Sequence, residues 1–337
     1  MYKKILIIKL GAAGDVLRTT AVLPGLKEHN PGARIDWVTK PDSVDLVRTN
    51  PLVDKVYCIG DSIPDHYDLV INLDEDEEAC KLASQLKGEK RGFLWESGVV
   101  IPTETAREWF NMSALGKRPE NDILKRQNLK TYQQIMLEII GLKTDHFHTS
   151  LHLPESSTGF AASFARRHGI GKHDFVVGLN SGAGSRWAQK SLGIEKSAEL
   201  ADGLGERLDA RVILLGGPEE AGRNRALLSR VKSKIIDSGC DNRLLDFAGI
   251  INLCSVLVTS DSLAMHIVLA LKKPVVVFFG PTSSAEIELY SLGVKILPEL
   301  ECLCCYKKRC DKKPNCMDMI SKDAIVNAVA GLKDKGG

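Results

Sequence analysis

The sequence predicts an α/β protein made of two doubly wound domains, and three observations carry that prediction. Short β-branched runs alternate with helical stretches along the 337 residues, with Gly-rich turns between them. That alternation is the pattern of a parallel sheet covered on both faces. The opening design, an apolar strand followed by a small-residue loop and a helix, restarts near residue 174. The length suits two domains of about 150 residues each better than one.

In the first half, "KILIIKL" (4–10) reads as a strand, "GAAGD" (11–15) as its turn, and the segment to about His29 as a helix. "ARIDWVT" is the second strand, a short helix follows near Val44, and "KVYCIG" and "DLVINL" are further strands. Helices are expected at 76–87, 104–116 and 129–141. "HLPESSTG" (152–159) reads as the linker, which sets the domains at 1–155 and 156–337. In the second half "DFVVGLNSGAGS" (174–185) repeats the opening, with a helix from about Glu195. "ARVILLGGPEE", "SVLVTSDSLAMH" and "PVVVFFGPTS" continue the pattern, and a last helix at about 321–333 is expected to pack back on the first domain. Ligands of such sheets bind beyond the carboxyl ends of the strands, so the expected site is a cleft between the two domains.

Composition narrows the function classes. An apolar fraction of 44% with 26% charged residues is that of a soluble globular protein. A net charge of +2 argues against nucleic acid as a partner, because phosphate-backbone binders carry a strong basic excess. The N-terminal apolar stretch is too short for a signal-peptide core, and no run reaches the roughly 18 apolar residues of a membrane span. A cytoplasmic protein is expected, with peripheral membrane contact open; "EWFNMSALGKR" (108–118) reads either as an acceptor- or lipid-facing amphipathic helix or as packed structure.

Four turns carry candidate chemistry. Gly11 and Gly14 give only G-x-x-G after the first strand, and Lys40 ends the second strand where a dinucleotide fold wants an acid. An NAD-dependent oxidoreductase is therefore disfavoured. Asp15 in that turn reads either as a helix N-cap or as a general base taking a proton from a hydroxyl. In "SGAGSRWAQK" (181–190), Gly182 and Gly184 let backbone amides approach an anion, while Arg186 and Lys190 can neutralise phosphate. Glu220, or its neighbour Glu219, suits a ribose diol, or equally is a solvated acid in a first helical turn. Asp261, Ser262 and His266 open an otherwise apolar helix, where polar groups need partners from the fold or from a ligand. Ser262 stands at the N-cap position, and Asp261 suits sugar hydroxyls better than phosphate. Together these turns read as a metal-free diphosphate site.

Taken in order, "KLGAAGDVLRTTAVLPGL", "LNSGAGSRWAQKSL", "LLGGPEE", "TSDSLAMHIVLAL" and "FFGPT" resemble glycosyltransferase family 9, the ADP-heptose:lipopolysaccharide heptosyltransferases and their relatives. The resemblance spans essentially the whole chain. It implies the GT-B fold, with two Rossmann-like domains facing across a cleft, and an inverting, metal-independent transfer. It also implies a nucleotide-sugar donor (ADP-heptose by family default) held mainly by the second domain, with Ser181, Gly182, Ala183, Arg186, Lys190, Glu220, Asp261, Ser262 and His266 around it. A glycolipid acceptor of the lipopolysaccharide-core type would lie on the first domain near Gly11 and Gly14, with Asp15 as base. The place implied is the cytoplasmic face of the inner membrane. Leu263, Leu192 and Ser262 depart from the family's commoner Gly, Trp and Thr.

Of nine cysteines, Cys58, Cys80, Cys240 and Cys254 are scattered in or beside apolar segments and read as buried thiols. Cys302, Cys305, Cys310 and Cys316, with Cys304 between them, fall within fifteen residues. Short C-x-x-C steps suit a structural zinc, with disulfides or unbonded thiols as the other readings. Beside the transferase stand two rivals: a nucleotide-sugar epimerase of the same fold, and a non-catalytic metal- or ligand-binding protein.

Overall fold

The computed structural model describes residues 1–114, 119–184, 188–307 and 309–336, with the backbone alone at Ala188, Lys335 and Gly336. The chain divides into two units, 1–152 with 285–288, and 153–284 with 289–337.

Each unit is built on one six-stranded sheet. In the first, β1 (Lys4–Ile8), β2 (Arg34–Thr39), β3 (Lys55–Cys58), β4 (His66–Asn72), β5 (Lys87–Glu96) and β6 (Val99–Pro102) lie in the order 3-2-1-4-5-6. All neighbours are parallel except β5 and β6. In the second, β7 (Val176–Asn180), β8 (Arg211–Leu214), β9 (Ile236–Asp237), β10 (Val256–Ser260), β11 (Val275–Phe278) and β12 (Gly293–Ile296) repeat that order in parallel throughout. The central strands "KILII", "VVGLN", "VLVTS" and "VVVF" are buried nearly end to end. Unbroken apolar runs of this kind are what a parallel sheet with both faces covered requires.

Several elements differ from the sequence reading. The hairpin β5–β6 was not expected, because "KGEKRG" is polar and glycine-rich. Gly92 is needed there: at φ 99°, a Cβ would lie 1.8 Å from the Asn72 carbonyl oxygen on β4. Ser97 and Gly98, both at positive φ, close the hairpin as a two-residue turn. The expected linker is shorter than 152–159, since the helix Glu155–Arg167 begins straight after Pro154. The last helix, Lys322–Gly336, belongs to the second unit. Its Ile325, Val326 and Val329 are buried in the second unit's core with Val256, Val258, Val276 and Phe278. The helix Arg107–Ser113 buries Met112, with Trp109 and Phe110 packed on the first core, so that part of 108–118 is packed structure; Leu115, Gly116, Lys117 and Arg118 lie outside the described residues. Of the scattered cysteines, Cys80 and Cys254 are buried, while Cys58 and Cys240 are half-buried.

Candidate active site

A doubly wound sheet opens a crevice where its strand order reverses. In the first sheet that point lies between β1 and β4, and in the second between β7 and β10. The candidate residues gather at these two corners.

At the first corner, the turn after β1 is pinned by Asp74, just beyond β4. One oxygen of its carboxylate accepts from the Leu10 and Gly11 amides at 3.0 and 3.2 Å. Lys9 lies beneath, only 7% exposed, donating to the Leu73 carbonyl at 2.8 Å and paired with Asp74 at 3.4 Å. Burial alone would push its ammonium down. Tyr132, Asp74 and Asp15 together outweigh burial and hold it above the usual lysine range. The turn carries Gly11 and leads into the helix Ala13–Thr19, which contains Gly14 and Asp15.

Asp15 is not an N-cap. Ala12 holds that position, and Asp15 lies in the first turn with its carboxylate 2.8 Å from Arg18. Arg18 in turn rests on the Tyr132 ring, 3.6 Å from its centre, and the Tyr132 hydroxyl bonds Thr19 at 2.8 Å. Asp15 is thus a half-exposed carboxylate whose direction is set by a stacked guanidinium. Glu75 is close by and accepts from the Ser113 hydroxyl at 2.8 Å; burial pushes its carboxyl above the usual range.

At the second corner, the loop after β7 meets the start of the helix Leu263–Ala270 after β10. Lys190 donates to the Asp261 carboxylate at 2.8 Å and to its carbonyl at 3.0 Å, with both side chains largely shielded. Burial would push the Asp261 carboxyl up, but Lys190 and then His266 overcome that and hold it below the ordinary carboxylate range. His266, 8% exposed, stands one turn into the helix. Ser262 occupies the N-cap position without capping. Its hydroxyl bonds Thr259 at 2.9 Å and accepts from Asn180 at 3.2 Å, so the fold answers the polarity of this helix start internally.

Ser181 is buried and its hydroxyl accepts from Arg223 at 3.3 Å. Gly182 presents its carbonyl to Asn180, and Ala183 is half-buried. Glu220 lies against this loop: one oxygen accepts from the Gly184 amide at 2.7 Å and the other from the Gly217 amide at 2.9 Å. A Cβ at Gly182 would come within 2.4 Å of the Glu220 chain, so glycine there makes room for the acid. The Gly184 amide, expected to meet a phosphate, meets this carboxylate. Arg186 lies outside the described residues. Cys302, Cys305, Cys310 and Cys316 line one small cavity together with Gln189 and Pro281, and none of the nine cysteines forms a disulfide.

Lys9, Asp74, Glu75, Tyr132 and Arg223 were not singled out by the sequence. Acidic "DEDEE" straight after a strand was the available signal for Asp74 and Glu75.

The glycosyltransferase family 9 (heptosyltransferase) profile matches residues 60–315, well over half the chain. The chain belongs to glycosyltransferase family 9. Among curated proteins, lipopolysaccharide heptosyltransferase 3 of Escherichia coli K12 is 24% identical, with 80% of each chain covered. Among solved structures, a glycosyl transferase family 9 protein from Veillonella parvula has a TM-score of 0.76 at 22% identity, covering 99% of this chain and 98% of its own. The E. coli ADP-heptose lipopolysaccharide heptosyltransferase II has a TM-score of 0.68 at 16% identity, with 99% of each chain covered. These likenesses establish the GT-B fold for the family 9 chain.

Proposed function

We propose that this family 9 glycosyltransferase is an inverting enzyme that moves a heptose from an ADP-heptose donor to a lipopolysaccharide-core or related cell-surface glycan. The observation that carries the reading is the Lys190–Asp261 pair, with His266 one turn away, at the reversal point of the second sheet. A cation fixed by two acceptors is preorganised for a diphosphate that gains charge as it leaves, and such groups need no rearrangement during the reaction. The likeness to the E. coli ADP-heptose lipopolysaccharide heptosyltransferase II supports ADP-heptose as donor.

In the proposed step the Asp15 carboxylate takes the proton of an acceptor hydroxyl. The oxygen forms a bond to the anomeric carbon from the face opposite the nucleotide. The bond from that carbon to the phosphate oxygen breaks, and its electron pair goes to the departing diphosphate. Lys190 and His266 stabilise that charge, so the proposed step uses no catalytic metal or other cofactor. Arg18 orients Asp15, and Lys9 places a buried positive charge behind it.

With a nucleotide-sugar donor and a glycolipid acceptor, the proposed place of work is the cytoplasmic face of the inner membrane. Among the described residues no helix is long and apolar enough to cross a membrane.

Thermal unfolding of the purified protein with a panel of nucleoside diphosphates and nucleotide sugars tests this. Stabilisation by ADP and ADP-heptose, lost in Lys190→Ala, is expected. A response confined to a uridine or guanosine nucleotide removes the ADP donor, and no response to any of them removes the donor site.

A further inference from the structure

The loop 301–316 carries five cysteines and takes no part in the proposed transfer. It is held firmly against the turn that follows β11. The Cys304 amide donates to the Gly280 carbonyl at 3.2 Å, and the Tyr306 amide to the Pro281 carbonyl at 2.8 Å. The Ser283 amide returns a bond to the Tyr306 hydroxyl at 3.2 Å. Gly280 has no room for a side chain, since a Cβ would lie 2.6 Å from the Cys316 sulfur. Cys304 and Tyr306, on either side of Cys305, both take positive φ, at 58° and 51°. Left-handed backbone is strained at non-glycine residues and persists where its surroundings hold it.

Beside these two residues lies a cavity of about 20 Å³ lined by Cys302, Cys305, Cys310 and Cys316, with Gln189, Pro281, Lys307 and Lys312 also on its wall. That volume is about one water-sized sphere, too small for an organic ligand and suited to a single ion. Cys304 is not on the wall. Four thiols from one short loop thus border one small space, and Cys316 lies within electrostatic reach of Cys305 and Cys310. Among the described residues no three His, Cys, Asp or Glu side chains are already drawn in to coordination distance. Closing the sphere takes rotation of thiols that line the same space.

From this placement we infer that Cys302, Cys305, Cys310 and Cys316 hold one thiophilic metal ion of the zinc or ferrous class. Tetrahedral four-sulfur sites select these metals. The thiols lose their protons on binding, and four thiolates around a divalent ion leave two negative charges. Lys307 and Lys312, also on the cavity wall, offset them. The site is a brace rather than a catalyst. Its wall includes Gln189, next to Lys190, and its loop is bonded to the Gly280–Ser283 turn. Metal loss therefore loosens the corner that carries Lys190, a consequence that rests on the donor reading above.

The test measures metal and thiols on the full-length protein purified anaerobically with reductant. About one equivalent of zinc or iron per chain is expected to stay bound through gel filtration and to drop below a tenth in Cys302→Ser and in Cys316→Ser. The visible spectrum after mild oxidation separates the two metals, because ferric thiolate absorbs strongly there and zinc thiolate does not. Cobalt substitution should give the intense visible bands of a tetrahedral thiolate site. Cys304→Ser should keep full metal content, which separates a specific site from a loop that fails to fold. Metal-free wild type with nine thiols titrated after denaturation, or a mass deficit showing disulfides among these cysteines, would overturn the site. Metal content answers that question even if no nucleotide binds; where ADP does bind, metal removal should weaken it several-fold while leaving the Lys190→Ala protein unaffected.

Discussion

The two sheets share one strand order, yet their reversal points are built differently. At the first, a half-exposed anion, Asp15, has a buried cation, Lys9, behind it. At the second, a cation and an anion, Lys190 and Asp261, are paired with each other and shielded to a similar degree. The same turn of the same fold can therefore present a carboxylate over a buried cation or a closed ion pair. The fold sets where chemistry happens, and the side chains at each corner decide which chemistry.

The sharpest way to break this comparison is to remove charge at each corner in turn. Asp15→Asn keeps the shape and the Arg18 contact but cannot take a proton. Turnover should fall about 10²–10⁴-fold, the usual contribution of a positioned base, while ADP-heptose binding measured by calorimetry stays intact. If turnover survives, Asp15 is not the base. Lys190→Ala should do the reverse and weaken the donor about 10–100-fold, from the loss of a charge-assisted hydrogen bond of about 1.5–3 kcal/mol. Asp261→Asn should weaken the donor less, since the cation remains and only its anchor is lost. An Asp261→Asn effect larger than that of Lys190→Ala would show that Asp261 binds the donor itself.

A smaller effect is expected at Glu220, whose two oxygens tie the Gly184 and Gly217 amides together. Glu220→Gln can accept only one of those bonds through its single carbonyl oxygen. The loss of a charged bond, about 1.5–3 kcal/mol, should lower the unfolding midpoint and raise the KM for donor with little change in kcat. A change in kcat alone would argue against a loop-holding role.

How much of this could be read from the sequence follows from the range of the interactions. Asp15, Lys190 and Asp261 stood out as candidates because each lies in or near a Gly-rich or Ser-rich turn that follows an apolar strand, a local signal. Lys9 was not, because a lysine in "ILIIKL" reads as a break in a strand. Its partners, Leu73 and Asp74, lie more than sixty residues away. Tyr132 is still more remote in sequence, and nothing in "KTYQQI" shows that its ring will carry Arg18. The strand β5 was hidden for a similar reason. Gly92 is required by the close approach of β4, a fact of tertiary packing, whereas in sequence a glycine argues for a turn. Sequence thus shows which groups the fold presents, and structure shows which groups hold them.

The smallest expected effect concerns acid, and its sign should differ between the corners. Asp261 is held below the ordinary carboxylate range by Lys190 and His266 against the effect of burial. Its contribution to stability is therefore present above the ordinary aspartate pKa of about 3.9 and is lost as pH falls through its lower folded value. Glu75 is shifted the other way, chiefly by burial. Its contribution is present below the ordinary glutamate pKa of about 4.3 and is lost as pH rises through its raised folded value. Glu75→Gln keeps a carbonyl for the Ser113 hydroxyl and removes that ionisation. Its unfolding midpoint should match the wild type near pH 4 and exceed it by a few degrees at neutral pH. Asp261→Asn should show the mirror image, least stable relative to wild type at neutral pH and converging on it in acid. Parallel curves for either variant would mean that its carboxylate does not change ionisation on folding, and the opposition between the two corners would then stop at geometry.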